Sequence, residues 1–199
     1  MSIDILFVTP NSSKKIYQEL SKDYSAIEPP TWSLLLAQSC RSKGFKVSIL
    51  DANAEKLSDE ESFKKVKEIN PRIICFVVYG QNVNAGTTNM VGAVSLANFI
   101  KNKKFSSPIV FVGSHIQALP YKTLNEEKCI DIICANEGVY SLHNLLNLSE
   151  FKIENLNKIK GIGFRDKGVA KLTPPEHIVP QEKMDIDLPG YAWDLLPYK

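Results

Sequence analysis

The sequence predicts an α/β domain: a flavodoxin-like, five-stranded parallel sheet of order 2-1-3-4-5 with helices on both faces, then a C-terminal β-hairpin and an extended tail. Three observations carry this. β-rich runs alternate five times with segments of helical period, as successive β–α units of a parallel sheet do. The run from Arg72 to Val78 is nearly all apolar, which fits a strand buried on both faces. Five strands suit this order better than the six-stranded dinucleotide order.

The first strand is Ile3-Asp4-Ile5-Leu6-Phe7-Val8, ending at Thr9-Pro10-Asn11. A polar loop runs to Glu28-Pro29-Pro30. The first helix spans about Thr31 to Lys43. Its apolar stripe includes Trp32, Leu35, Leu36 and Cys40, and Gly44 stands where a C-terminal cap belongs. Lys46 to Leu50 is the second strand. Ser58-Asp59-Glu60-Glu61 is a capping box opening a helix that bears Phe63, Val66 and Ile69 and stops at Pro71. After the third strand, Tyr79 to Thr88 reads as a loop rich in Gly, Asn and Thr, followed by a helix from about Asn89 to Lys101. Pro108 to Val112 is the fourth strand and runs into the turn Gly113-Ser114-His115. A short helix near Tyr121–Glu127 leads to the fifth strand, Ile130–Cys134, then to the loop 135–138 and a last helix carrying Val139, Leu142, Leu145 and Leu146. From about Glu150 the pattern changes. Gly161–Arg165 and Val169–Leu172 around Asp166-Lys167-Gly168 form a hairpin, and a Pro-rich tail follows. Residues 1–150 thus read as the α/β domain and 151–199 as hairpin and linker.

Composition narrows the function. The 199 residues are 44% hydrophobic and 23% charged, with 24 basic against 22 acidic side chains, a net charge of +2. Such interspersed charge makes no case for a nucleic-acid or anionic-lipid partner. No apolar run approaches the roughly 18 residues that span a bilayer, and the N-terminus lacks the features of a secretory signal. Cys40, Cys75, Cys129 and Cys134 fall on apolar runs at irregular spacing, with no CxxC or CxxxCxxC. They read as buried thiols of a cytoplasmic protein, not as metal ligands.

In an open parallel sheet, ligands bind beyond the carboxyl ends of the strands at the switch point. The candidate segments are therefore Thr9–Ser13, Tyr79–Thr88, Gly113–Ile116 and Asn136–Gly138. Glycines at 80, 86, 113 and 138 let backbone approach a ligand. These loops hold no carboxylate pair, no Ser-His-Asp set and no P-loop lysine. Such a mouth suits a large neutral ligand held by amides and hydroxyls, and no catalytic residue is assigned.

The ordered fragments ILFVTP, PPTWSLLLAQSCRSKGFKVSILDA, VVYGQNVNAG, IVFVGSHIQALP, ANEGVYSLHNLL, GIGFRD and LPGYAWDLLP resemble the N-terminal cobalamin-binding domain of cobalamin-dependent radical SAM enzymes along essentially the whole chain. The matching features are Pro29-Pro30 before the first helix, Gly113-Ser114-His115 after strand 4, Asn136-Glu137-Gly138 after strand 5 and Tyr191-Ala192-Trp193-Asp194 in the tail. Two departures matter. No Asp-x-His-x-x-Gly follows strand 1, where Thr9-Pro10-Asn11-Ser12-Ser13-Lys14 stands. The cysteine motif for a 4Fe–4S cluster is also absent. The resemblance implies base-off cobalamin with no histidine below cobalt, and Tyr79 and Gln81 nearest that face. It implies cofactor contacts from Pro10 and Asn11 after strand 1, and from Gly80, Asn82 and Thr87 after strand 3. Gly113, Ser114 and His115 after strand 4, and Glu137 and Gly138 after strand 5, complete the set. It further implies that the chain is a fragment truncated before a radical SAM barrel, which in the parent enzyme holds the cluster and S-adenosylmethionine in cis, and that the parent transfers a methyl group or uses cobalamin in another radical rearrangement.

Plainer roles stand beside these. His115 can ligate cobalt, although it follows strand 4 rather than the usual loop, can bond the corrin edge or nucleotide tail, or can simply stabilise its turn. His143 reads as a satisfied or solvated histidine, and His177 has no argued role. Gln81 and Asn82 can bond corrin amides or cap their own loop. Glu137 can accept from the ligand or favour the following helix dipole. Trp193 can dock the barrel or anchor on this domain. A receiver domain shares the sheet order but is disfavoured, because Thr9 and Tyr79 stand where it needs acids. An FMN binder and a cofactor-free docking domain remain open, and the colour of the purified protein separates them.

Overall fold

The computed structural model describes residues 3–12, 27–80 and 83–197. Among the described residues seven strands form one sheet, β2-β1-β3-β4-β5-β6-β7. The strands are β1 Ile5–Thr9, β2 Val47–Asp51, β3 Ile73–Val78, β4 Ile109–Gly113, β5 Ile132–Cys134, β6 Ile162–Asp166 and β7 Val169–Leu172. The first five run parallel in the expected 2-1-3-4-5 order. The hairpin does form, but it is not an appendage. β6 pairs antiparallel with β5, with Cys134 opposite Ile162, and so extends the sheet. Lys167 and Gly168 both take positive φ, 49° and 85°. A two-residue turn of that kind matches the twist of its flanking strands.

The helices are α1 Thr31–Ser42, α2 Asp59–Ile69, α3 Val83–Asn102, α4 Ser114–Ala118, α5 Pro120–Glu126, α6 Val139–Leu146, α7 Ile153–Leu156 and α8 Met184–Asp187. The period of two along the strands divides the core. Ile5, Phe7, Cys75 and Val110 face α1 and α6. Leu6, Val8, Ile74, Phe76 and Phe111 join the cluster that includes Val66 of α2 and Leu96 and Ile100 of α3. At α2 both halves of the capping box are present. Glu61 N donates to Ser58 Oγ at 3.2 Å, and Ser58 N donates to Glu61 Oε2 at 2.9 Å.

Two expectations are corrected. The stretch after β3 is not a loop to Thr88, because α3 already begins at Val83. Asn84, Gly86, Thr87 and Thr88 are weak helix formers, and tertiary packing overrides them. A Cβ on Gly86 would lie 2.1 Å from Ser114 Oγ, and one on Gly92 would lie 2.3 Å from Ser12 Oγ. Glycine at these points lets α3 press against the ends of β4 and β1. The segment after β4 is likewise a helical turn, α4, rather than an open turn.

The tail crosses the α1–α6 side. Gly161 N donates to Pro174 O at 2.8 Å, and Ala192 N donates to Leu34 O at 3.3 Å. The Asp187 carboxylate accepts from Lys43 Nζ and Tyr140 Oη, both at 2.7 Å. Arg41 grips Asp194 with two nitrogens, at 2.6 and 2.9 Å. Trp193 remains 54% exposed, its ring 5.6 Å from that of Tyr191. His143 is buried and satisfied. Ser39 Oγ gives its hydrogen to Asp187 O at 2.5 Å, so the hydrogen in the 2.9 Å contact with His143 Nε2 belongs to the imidazole. His177 is exposed.

Candidate functional site

The carboxyl ends of β1, β3, β4 and β5 meet along one edge of the sheet. Pro10 is buried there. Asn11 Nδ2 donates to Leu57 O at 3.2 Å, and Ser12 Oγ donates to Asn89 O at 3.1 Å, which ties the post-β1 segment to α3. Thr9 Oγ1 lies 3.1 Å from Ser33 Oγ in the first turn of α1. Tyr79, the residue after β3, stacks on Trp32 with ring centroids 4.7 Å apart and planes at 23°. Its hydroxyl accepts from Gln117 Nε2 at 2.6 Å, and its carbonyl accepts from Asn89 Nδ2 at 3.1 Å. Burial pushes the Tyr79 phenol well above its ordinary range, with smaller contributions from Cys134 and Glu137. It is therefore a neutral donor at any physiological pH.

Thr87 and His115 come together from α3 and α4, with Oγ1 to Nδ1 at 3.1 Å. Ser114 Oγ is buried and without a hydrogen-bond partner. A buried hydroxyl in that state costs roughly 1–3 kcal/mol relative to a bonded one. Gly80 and Gly113 also sit at this edge, where a Cβ would lie 2.3 Å from Ala85 Cβ and 2.1 Å from Val78 O. The expectation that these glycines open backbone to a ligand is thus met differently, since they bring protein against protein. Gln81 and Asn82 lie outside the described residues.

The post-β5 loop is partly occupied. Glu137 Oε1 accepts from Val179 N at 2.7 Å, and Asn136 Nδ2 donates to Glu176 O at 3.3 Å, so the tail closes over this end. Gly138, at φ +90°, takes the left-handed conformation that starts α6 while its N–H reaches Asn136 Oδ1 at 3.0 Å.

The sum is an edge with hydrogens left to donate. Among the described residues, Tyr79 Oη and Ser114 Oγ each keep one. The Thr9–Ser33 and Thr87–His115 pairs each use one hydrogen for the mutual bond and keep another. Among the described residues no group of three or more His, Cys, Asp or Glu side chains is placed to hold a metal ion. Sequence reasoning missed Trp32, Ser33 and Gln117. Trp32 was legible only as part of a core stripe, and nothing in the local sequence marks Gln117.

These features define an α/β domain whose sheet presents hydrogen-bond donors along its carboxyl edge. A family model, the B12 binding domain, matches residues 23–146. The chain belongs to that family, whose cofactor is cobalamin. It is 29% identical over 169 residues to the uncharacterized methyltransferase PH0819 of Pyrococcus horikoshii, covering 85% of this chain and 34% of the relative. It is 26% identical over 172 residues to the anaerobic magnesium-protoporphyrin IX monomethyl ester cyclase of a Synechocystis strain, covering 86% and 32%. The chain therefore spans about a third of the length of these relatives. Among solved structures, its fold matches the cobalamin-dependent S-adenosylmethionine radical enzyme OxsB with aqua-cobalamin and S-adenosylmethionine bound. That match has a TM-score of 0.68 at 18% identity and covers 98% of this chain and 24% of that one. The apo form of the same enzyme matches with a TM-score of 0.53 at 17% identity, covering 94% and 25%.

The residues present fit the cofactor. Cobalamin is ringed by carboxamides and carries a phosphodiester, so its periphery presents many acceptors. The undonated hydrogens at this edge, the orphaned Ser114 Oγ above all, are complementary to it.

Proposed function

We propose that the chain holds base-off cobalamin beyond the carboxyl ends of β1, β3, β4 and β5 as one domain of a larger B12-dependent radical SAM methyltransferase. The observation that carries this is the buried, unpartnered Ser114 hydroxyl at the end of β4 in a chain of the B12 binding domain family. Ser114, Tyr79 and the Thr87–His115 pair donate to acceptors on the cofactor. Pro10 and Asn11 close the β1 side, and Gly80 and Gly113 set how near α3 and α4 stand. Gln81, Asn82, Glu137 and Gly138 complete the rim. The segment Thr9-Pro10-Asn11-Ser12 offers no imidazole, which supports a cobalt without a histidine below it.

Bound cobalamin supplies a centre able to accept a methyl group and pass it on; this chain orients it and shields it from water. Residues 1–150 form the cobalamin-binding unit, and 151–199 lead toward a barrel in cis that carries the 4Fe–4S cluster and S-adenosylmethionine. The setting is cytoplasmic, a reading supported by four free, buried thiols; among the described residues no helix is long and apolar enough to cross a membrane. The test is cobalt content after incubation with hydroxocobalamin and desalting. Equimolar retained cobalt supports the reading. Cobalt at background, with circular dichroism intact, favours the cofactor-free docking role instead.

A further inference from the structure

Tyr79 occupies an unusual place. It follows β3, the strand next to the switch point, and links helices on opposite faces of the sheet. On one side its ring lies on Trp32 of α1, which packs with the cluster around Phe7 and Cys75. On the other its hydroxyl meets Gln117 of α4, the short helix whose Ile116 belongs to the cluster around Phe76 and Phe111. The ring thus bars the carboxyl edge where a ligand must sit. Asn89 Nδ2 fixes its backbone carbonyl.

The bonding has a direction. Gln117 Nε2 donates to Tyr79 Oη, so the phenolic hydrogen is not used by Gln117, and among the described residues it finds no other acceptor. Stacking on Trp32 removes rotation about the ring's own position, and Gln117 sets which way the hydrogen turns. Gln117 is itself exposed, so the contact adds little to folding stability. Its consequence is orientation.

We propose that Trp32 and Gln117 are positioning residues, which hold the Tyr79 hydroxyl across the carboxyl edge as a hydrogen-bond donor to the cofactor. This rests on the cobalamin reading above. Tyr79 makes the contact; Trp32 and Gln117 act through it.

The test is a double-mutant cycle on the full chain, read as hydroxocobalamin affinity with unfolding midpoints as the control for folding. Tyr79→Phe and Gln117→Ala each weaken binding about three- to tenfold, the size of one net hydrogen bond. Gln117→Ala has no further effect in the Tyr79→Phe background, because it acts only through the missing hydroxyl. Trp32→Leu binds like Tyr79→Phe, and Trp32→Phe, which keeps a stacked ring, recovers part of that loss. Singly substituted proteins that fold and bind normally, or effects that multiply in the double variant, overturn the proposal. A wild-type chain that retains no cobalamin overturns the cobalamin reading before any variant is compared, so the two failures are distinct.

Discussion

Gly113 lies so close to Val78 that a Cβ on it would stand 2.1 Å from the Val78 carbonyl oxygen. The carbonyl belongs to the neighbouring strand, paired in register at Val78–Gly113, and has no room to retreat. Gly113→Ala should therefore destabilise the domain by about 1–3 kcal/mol through overpacking. Gly44, at φ +88° with open space around it, offers the comparison. Its alanine variant carries only backbone strain, about 1 kcal/mol. Denaturant unfolding of both variants checks the order, and a milder effect at Gly113 than at Gly44 would contradict it.

Ser114→Ala should behave in the opposite way toward folding. Its hydroxyl is buried without a partner, so removing it relieves a desolvation cost and raises the stability of the free protein by up to about 1 kcal/mol. The same change should weaken cobalamin binding. Thermal unfolding and a binding titration on one preparation read both signs. Loss of stability on substitution would show that the hydroxyl is bonded after all.

The tail clamp makes stability depend on pH in a defined direction. Burial and the nearby Lys43 lower the pKa of His143 from its ordinary 6.5. The unfolded chain then takes up this proton first, and stability falls as pH drops from about 6.5 toward the folded value. The hydrogen bonds from Lys43 and Tyr140 lower Asp187 below its ordinary 3.8. That contribution is present above 3.8 and is lost as pH falls through the lower, folded value. Unfolding midpoints across this range should show both losses. His143→Gln should flatten only the upper one, and Asp187→Asn only the lower.

What was legible in the sequence was local. Ser58 and Glu61 specify a helix start by their own side chains, and Lys167-Gly168 specify a turn by their own backbone. The start of α3 was hidden because Gly86 and Gly92 look like loop residues until Ser114 and Ser12 stand against them. The hairpin's place in the sheet was hidden because pairing of Cys134 with Ile162 is a long-range choice. At the site, the carboxyl-edge loops followed from the strand order alone. The pairing of Thr87 with His115, the stacking of Tyr79 on Trp32 and the use of Glu137 to hold Val179 depend on distances between elements, which no local pattern contains.

The most direct measurement is the visible absorption spectrum of the full chain after incubation with hydroxocobalamin and desalting. The expected result is a retained corrinoid whose spectrum is base-off and stays so in variants of His115, His143 and His177. A colourless protein with native circular dichroism, or a bound spectrum showing a histidine below cobalt, would contradict it.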